Sequence, residues 1–169
     1  MSKILLSIKP EWTAKILNGE KTIEIRKSAP KCDLPIDVYI YCTKGKEGLW
    51  YVKNKTNANG HAYIGKNVEP ILNGKVVAKF TMREIRNVIK SKIWGGWGVY
   101  GEYMDFIEID RMSCLSQNEI MRYMRGKYHA YAWHISDLEI FDEPKELSEF
   151  GIKRAPQSWQ YVEEYKEGE

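Results

Sequence analysis

The sequence predicts an α+β domain in which an antiparallel or mixed β-barrel is decorated by short helices. Five or six short runs rich in β-branched and aromatic residues predict strands, whereas helical patterns are few and brief. The 169 residues fit one domain, and 43% hydrophobic with 29% charged residues is typical of a globular chain. We therefore expect a single domain over residues 1–162 and a frayed acidic tail over 163–169.

The first part of the chain predicts a strand, a short helix and two further strands. Ile4–Ile8 is an apolar run, and Pro10 suits the first turn of a helix that Asn18-Gly19 ends. Alternation of apolar and polar residues predicts a second strand in the segment Gly19–Arg26. The third strand, Ile36–Cys42, is rich in Val, Ile and Tyr.

The middle of the chain has weaker patterns. Thr43–Gly74 is rich in glycine and asparagine and is expected to be an irregular insertion. The turn signal Asn73-Gly74 precedes a fourth strand, Lys75–Thr81. The glycine-rich aromatic segment Trp94–Gly101 is expected to be a loop, which either presents stacking faces to bases or plugs a barrel end.

The last third predicts strands on either side of a helix. Alternation over Tyr103–Arg111 predicts a strand, and Ser116 with Glu119 forms a capping-box pattern that opens a helix. Tyr128–Phe141 is a long β-rich run that places Tyr131 and Trp133 on one face. Its His134, on the other face, is expected to be a core or cleft histidine rather than a catalytic base.

Composition excludes several classes of protein. Three widely spaced cysteines predict reduced thiols rather than a disulfide framework or a zinc site. No P-loop, Rossmann, HExxH or GxSxG pattern is present, so neither a metal nor another cofactor is expected. The N-terminal apolar run is too short for a signal segment or a membrane span, which predicts a cytoplasmic protein without a membrane partner. The net charge of +3 permits a nucleic-acid partner without requiring one.

The segment Gly19–Arg26 carries the candidate chemistry. On an extended strand Thr22, Glu24 and Arg26 share one face, and Lys21 follows a turn from which it can swing towards them. Two interpretations remain open at this level: a solvated strand face with a weak ion pair, or a ligand site. In a site, Arg26 can clamp a phosphate or a base edge, Lys21 can act as a base or nucleophile, and Glu24 can shuttle a proton.

These residues resemble the ASCH domain family, whose hallmark is GxKxxExR. Gly19, Lys21, Glu24 and Arg26 match its four fixed positions, and Ser7-Ile8-Lys9-Pro10 precedes them as in that family. The later segments 131–138, 144–150 and 156–159 look like those of small ASCH proteins found in bacteria and their phages. The resemblance implies a PUA-like β-barrel with helices packed around it and a motif-lined cleft that holds RNA or a nucleotide.

The resemblance also implies which residues meet the ligand. Some bacterial relatives hydrolyse N4-acetylcytidine with the motif lysine, here Lys21, but they have a threonine where this chain has Glu24. Other relatives are reported to cleave RNA. The side chains that we expect at the ligand are Ser7, Lys9, Lys21, Thr22, Glu24, Arg26, Trp133, Ser158 and Trp159.

Two functions from different classes follow. In the first, the protein is a binding module in which Lys21 and Arg26 contact phosphates or base edges and Glu24 accepts a hydrogen bond from an exocyclic amine. Trp133 or Trp159 either stacks on the base or packs in the core. In the second, the protein is a nucleoside or RNA hydrolase with Lys21 and Glu24 as its catalytic pair. RNA or a nucleotide is the expected partner in both. A protein partner is left open: a third possibility is a phage-derived accessory protein whose surface engages another protein, for which the irregular insertion Thr43–Gly74 is the only indication.

Overall fold

The computed structural model describes residues 2–53, 60–67, 71–93 and 95–163, of which residue 93 is described in its backbone alone. The helices are α1 (Pro10–Leu17), α2 (Phe106–Ser113) and α3 (Gln117–Met124), and a short 3-10 helix covers Leu147–Phe150. The strands are β1 (Lys3–Ile8), β2 (Ile23–Arg26), β3 (Ile36–Cys42), β4 (Gly48–Val52), β5 (His61–Gly65), β6 (Val76–Met82), β7 (Ile85–Ile93), β8 (Gly96–Gly101), β9 (His129–His134), β10 (Ser136–Lys145) and β11 (Trp159–Val162).

The chain divides into two compact units. The first consists of Met1–Gly19, Ile36–Thr81 and Asp137–Glu169, and the second of Glu20–Pro35 and Met82–Ser136. The boundary between Gly19 and Glu20 falls inside the motif segment. The chain therefore enters the second unit at the motif.

The first unit is built on a five-stranded mixed sheet in the order β10-β6-β3-β1-β11. β1 pairs with β3 in parallel and with β11 in antiparallel. Its apolar run is buried throughout, as expected for a strand with neighbours on both sides. Helix α1 begins with Pro10 in its first turn, as predicted, and ends where Gly19 adopts a φ of +73°. A separate two-stranded sheet, β4-β5, lies in the same unit.

The second unit is built on a four-stranded sheet in the order β2-β9-β7-β8, in which β2 and β9, β9 and β7, and β7 and β8 pair in antiparallel. One face of this sheet packs on α2 and α3. The buried residues of this core are Ile23, Ile25, Val88, Val99, Met104, Ile109, Ile120, Met124, Ala130 and Ala132. The capping box predicted at Ser116 and Glu119 opens α3, since Ser116 Oγ accepts from the Glu119 N–H.

The strand predicted over Tyr103–Arg111 is wrong, because this segment contains the start of α2. The Asp105 carboxylate accepts a hydrogen bond from the Glu108 N–H at 2.8 Å, and the Glu108 carboxylate accepts one from the Asp105 N–H. This capping box satisfies two N–H groups at the start of a helix, which outweighs a short alternating pattern. Ile109 and Met112 of α2 then face the core with helical spacing.

Two segments that were expected to lack regular structure contain strands. Thr43–Gly74, predicted to be an irregular insertion, includes β4 and β5; residues 54–59 and 68–70 lie outside the described part. Trp94–Gly101, predicted to be a loop, contains β8, which pairs along β7. Cross-strand pairing is non-local, so glycine content alone did not reveal it. The predicted frayed tail lies outside the described residues from position 164 onwards.

No helix in the described ranges is long and apolar enough to cross a membrane.

We predict that the sheet that carries the motif depends on the buried isoleucines behind it. Ile25→Ala should lower the free energy of unfolding by about 2–5 kcal/mol, because it leaves a cavity in a core where Ile25 is 3% exposed. Ile107→Ala on α2, where the side chain is 61% exposed, is the matched control and should change stability by less than about 0.5 kcal/mol. Urea denaturation measures both; equal losses would contradict the assignment of the core.

Candidate functional site

The face of β2 that points away from the core of the second unit carries Glu24 and Arg26. Side chains alternate along a strand, so the burial of Ile23 and Ile25 against the helices fixes the opposite direction for their neighbours. In the register with β9, Glu24 lies opposite Trp133 and Arg26 opposite Tyr131. The shared face predicted for Glu24 and Arg26 is therefore present.

Lys21 and Thr22 precede β2 and attach it to the C-terminal end of α2. The Thr22 N–H donates to the Met112 carbonyl at 2.8 Å, and Lys21 Nζ donates to the Ser113 carbonyl at 2.7 Å. The last four carbonyls of a helix lack partners within the helix, and a cation there also meets the negative end of its dipole. Two motif residues thus satisfy the end of α2, and the helix in turn fixes the position of the Lys21 ammonium.

The Glu24 carboxylate joins the two cations of the motif. Its Oε2 lies 3.1 Å from Lys21 Nζ, and its Oε1 lies 2.9 Å from Arg26 Nη2. The side chains of Lys21, Glu24 and Arg26 are only 1%, 11% and 11% exposed. This burial excludes the interpretation as a solvated strand face with a weak ion pair. We call these three side chains the motif triad.

The motif triad contains two cations and one carboxylate, so by itself it carries one excess positive charge. Charge that is removed from water is costly unless an opposite charge or a set of hydrogen bonds compensates it. An arrangement of this sign favours an anionic or electron-rich group, such as a phosphate or a base carbonyl, over a cation. Arg26 adds the planar fork that recognises such groups through paired hydrogen bonds.

Trp133 lies beside the motif triad but is fully buried. It pairs with Glu24 across the strands and has 0% exposure, whereas Tyr131, opposite Arg26, is half-buried. A buried indole next to a charged network limits the access of water to it. Stacking of Trp133 on a base stays a prediction.

Four of the predicted ligand residues belong to the first unit. The Ser7 N–H donates to the Ser158 carbonyl at 2.9 Å, and Ser7 Oγ donates to the Pro156 carbonyl at 2.7 Å. Trp159 pairs with Leu6 in the β1–β11 register, and Lys9 is exposed at the start of α1. The structure thus brings Ser7, Ser158 and Trp159 together through β1 and β11; their contact with a ligand stays a prediction.

Several residues at the motif triad were not foreseen from the sequence. Ser113 and Met112 contribute backbone carbonyls, which leave no signature in side-chain patterns. Tyr123 on α3 is the third: burial raises the pKa of its phenol, Arg26 acts in the opposite sense, and Glu24 adds to the increase. Lys27 Nζ lies 4.8 Å from the centre of the Tyr123 ring. The Tyr123 phenol therefore stays neutral at the edge of the charged group.

His134 ends β9 on the core side, next to Glu84 and Arg86. Its Nδ1 lies 3.9 Å from Glu84 Oε2, while Nε2 is buried and has no hydrogen-bond partner among the described residues. Burial lowers the pKa of the imidazole, the Glu84 carboxylate opposes this, and Arg86 adds to the decrease. Arg86 Nε in turn donates to Glu84 Oε1 at 2.7 Å, which holds the pKa of Glu84 below its ordinary value.

Cysteine thiols and metal-ion ligands are features separate from the motif triad. Cys42 is buried, and burial raises the pKa of its thiol to about 12, so it remains protonated at neutral pH. Among the described residues, no group of three or more His, Cys, Asp and Glu side chains could hold a metal ion.

Comparison with known proteins gives consistent results for family and fold. The family model of the ASCH domain matches residues 6–108, which include the whole motif. The crystal structure of ASCH from Zymomonas mobilis has 18% sequence identity and a TM-score of 0.63, over 95% of this chain and 87% of that chain. A single-substitution mutant of that protein has 16% identity and a TM-score of 0.62, over 96% of this chain and 91% of that chain. A search of the curated proteins finds no match. These structural neighbours confirm the predicted α+β, PUA-like fold.

We predict that Glu24 is required for stability because it separates two buried cations. Glu24→Gln should lower the free energy of unfolding by about 3–5 kcal/mol, the usual cost of breaking a buried ion pair from one side. Glu20→Gln is the control, since Glu20 is exposed and precedes the same strand. Denaturation in urea compares the two variants. An equally small effect of both would show that the carboxylate does not bridge the cations in solution.

We also predict that His134 makes stability depend on pH. Its pKa is lowered in the folded protein, so the unfolded chain binds the proton more readily. The stabilisation is complete when the pH is above the pKa of His134 in the unfolded chain, about 6.5. It is lost as the pH falls through the lower pKa of His134 in the folded protein. Thermal melts of the wild type should therefore show a decrease in Tm from about pH 7 to pH 5 that His134→Gln reduces. Parallel curves for the two proteins would contradict this assignment.

Proposed function

Because the chain belongs to the ASCH domain family, we propose that it binds RNA or a nucleotide and recognises RNA or a modified nucleobase with Lys21, Glu24 and Arg26 of its GxKxxExR motif. One observation carries this proposal: a buried carboxylate is held between two cations at 3.1 and 2.9 Å. Such an arrangement has its polar groups oriented before a ligand arrives, and less entropy is lost on binding.

The chemistry of the motif triad suits a nucleotide. Its excess positive charge complements a phosphate, and the Arg26 fork matches a phosphate or the acceptor pair of a base edge. A carboxylate has about four acceptor sites, so Glu24 can contact both cations and still accept from an exocyclic amine. A ligand that combines a phosphate with a base amine uses both properties of the triad.

A hydrolase is the second candidate, and one contact favours it. Lys21 Nζ and Glu24 Oε2 are 3.1 Å apart in a nearly water-free position, so a proton can pass directly between them. In this alternative Lys21 is the base or nucleophile and Glu24 is the proton shuttle for cleavage of a nucleoside or RNA. Its substrates are N4-acylated cytidines or RNA.

Binding is tested by calorimetric titration of cytidine monophosphate and a short single-stranded RNA into wild type, Lys21→Met and Arg26→Lys. Arg26→Lys keeps the charge but loses the fork, so we expect it to fold and to lose about 10-fold in affinity. Lys21→Met removes a cation and should weaken binding by a similar factor. Lys92→Gln is the control because Lys92 is exposed on β7. Wild-type affinity in folded motif variants would reject the proposal.

The two candidate functions differ in turnover. Wild type and Lys21→Met are incubated with N4-acetylcytidine and with end-labelled RNA, and the products are separated by chromatography and by gel electrophoresis. Binding without any product supports the module. Product that wild type forms and folded Lys21→Met does not form supports the hydrolase.

A further inference from the structure

The β4–β5 ribbon of the first unit presents aromatic side chains outside the motif. In its register Trp50 lies opposite Tyr63, and Val52 lies opposite His61, so these four side chains share one face. The other face is packed inward, as the 0% exposure of Leu49 and the 3% exposure of Ala62 show. The aromatic face is therefore the outer face of the ribbon.

The rings on this outer face form an ordered group. Trp50 and Tyr63 stack with centroids 5.1 Å apart and an interplanar angle of 20°, and His61 meets Tyr63 edge-on at 4.6 Å. Tyr63 nevertheless remains 44% exposed. Asn18 fixes the ribbon to α1: its Nδ2 donates to the Ala62 carbonyl at 3.0 Å, and its Oδ1 accepts the Ala62 N–H at 2.7 Å. The exposed rings are thus held in place before any ligand binds.

A basic groove of about 510 Å³ lies in the same unit, and we call it the lysine groove. Its lining includes the exposed side chains of Lys9, Lys44, Lys46 and Lys66, together with two carboxylates, Glu11 and Glu47. Within the described residues none of these four lysines forms a salt bridge. In contrast, Lys3, Lys53, Lys75 and Lys79 of this unit pair with Asp37, Asp142, Glu146 and Glu139.

The lysine groove adjoins one end of the ribbon. Glu47 precedes Gly48, Lys66 follows Gly65, and these two glycines are paired at the end of β4 and β5. The Trp50–Tyr63 pair lies two residues further along, about 7 Å at the usual rise of a strand. Exposed rings on the ribbon therefore lie close to lysines that pair with no carboxylate among the described residues.

We propose that this surface binds single-stranded RNA, with backbone phosphates in the lysine groove and bases stacked on the exposed rings of Tyr63 and His61. Lysines that form no salt bridge within the described part of the chain attract a polyanion, and an aromatic face accepts any unpaired base. A duplex hides its base faces, whereas a single strand leaves them free to stack on exposed rings. The proposal goes beyond the function proposed above because no residue of the motif triad takes part.

The contribution of the rings is tested with Tyr63→Leu, which keeps an apolar side chain on the ribbon. Fluorescence anisotropy measures binding of a labelled single-stranded oligouridine, and inorganic polyphosphate is the competitor that has charge but no base. Tyr63→Leu should weaken oligouridine binding by about 5-fold or more, because stacking contributes at least about 1 kcal/mol per base. Its affinity for polyphosphate should not change. Unchanged oligouridine binding in folded Tyr63→Leu would overturn the proposal.

The contribution of the lysines is tested with Lys46→Glu combined with Lys66→Glu. The matched control combines Lys92→Glu with Lys127→Glu, two exposed lysines of the second unit that have no salt bridge to a described residue, so both proteins change net charge equally. Log affinity falls with log salt concentration, and the steepness of this fall should decrease by about 1.4 in the groove variant. Each of the two lost phosphate contacts accounts for about 0.7. The decrease should be clearly smaller in the control. Equal slopes would mean general attraction to a polyanion and would overturn the proposal, even if Tyr63→Leu failed to fold.

Mononucleotide titration separates this proposal from the one on the motif triad. A mononucleotide carries one phosphate and one base rather than a run of both, so it makes too few contacts for measurable binding to the ribbon and the groove. The ribbon and groove variants should therefore bind cytidine monophosphate at the motif triad as the wild type does. If no protein bound it, the function proposed for the motif triad would fail. The oligouridine results would still decide the ribbon.

Discussion

The bridge of Glu24 between Lys21 and Arg26 orders the motif, and it depends on the C-terminal end of α2. The Ser113 carbonyl accepts from the Lys21 ammonium and holds it within reach of the Glu24 carboxylate. The Thr22 N–H donates to the carbonyl of Met112, the residue before Ser113. The turn before β2 therefore provides hydrogen-bond partners for the last turn of α2. A helix end that lacks backbone partners is well suited to this role, because its carbonyls attract a cation strongly and are rigid.

This dependence explains which part of the site was predictable. Alternation along β2 gave the common face of Glu24 and Arg26, because strand geometry is local. The position of Lys21 was not predictable, since its partner, the Ser113 carbonyl, is 92 residues away and follows a segment, Tyr103–Arg111, that was expected to be a strand. A usable signal existed there: Asp105 and Glu108 have capping-box spacing, and Ile109 and Met112 have helical spacing. The alternating pattern over Tyr103–Arg111 obscured this helical signal.

The strands of the β4–β5 ribbon were missed because their local sequence pattern was misleading. Its glycines and asparagines are turn-forming residues, so the local pattern indicated an irregular insertion. Two asparagines outside the strands hold the ribbon in place: Asn18, at the end of α1, fixes β5, and Asn73 Oδ1 accepts the Leu49 N–H at 2.8 Å. Both contacts cross more than twenty residues, and a side-chain amide in such a contact has no periodic pattern. Predicting the aromatic outer face required the register, in which Trp50 meets Tyr63.

Charge distribution connects these observations with nucleic-acid binding. The net charge of +3 is too small to attract a polyanion by itself, but affinity for phosphates depends on where charges lie and whether carboxylates neutralise them. In the first unit, lysines on the five-stranded sheet such as Lys3 and Lys79 have carboxylate partners, whereas those of the lysine groove have none among the described residues.

The motif triad is different again: its cations are buried and hold a carboxylate between them, which suits the selection of one group rather than a run of phosphates. An exposed basic groove supplies affinity that salt screens, and a buried triad supplies discrimination that salt affects much less. The two proposed sites therefore predict different salt dependences, strong at the lysine groove and weak at the motif triad.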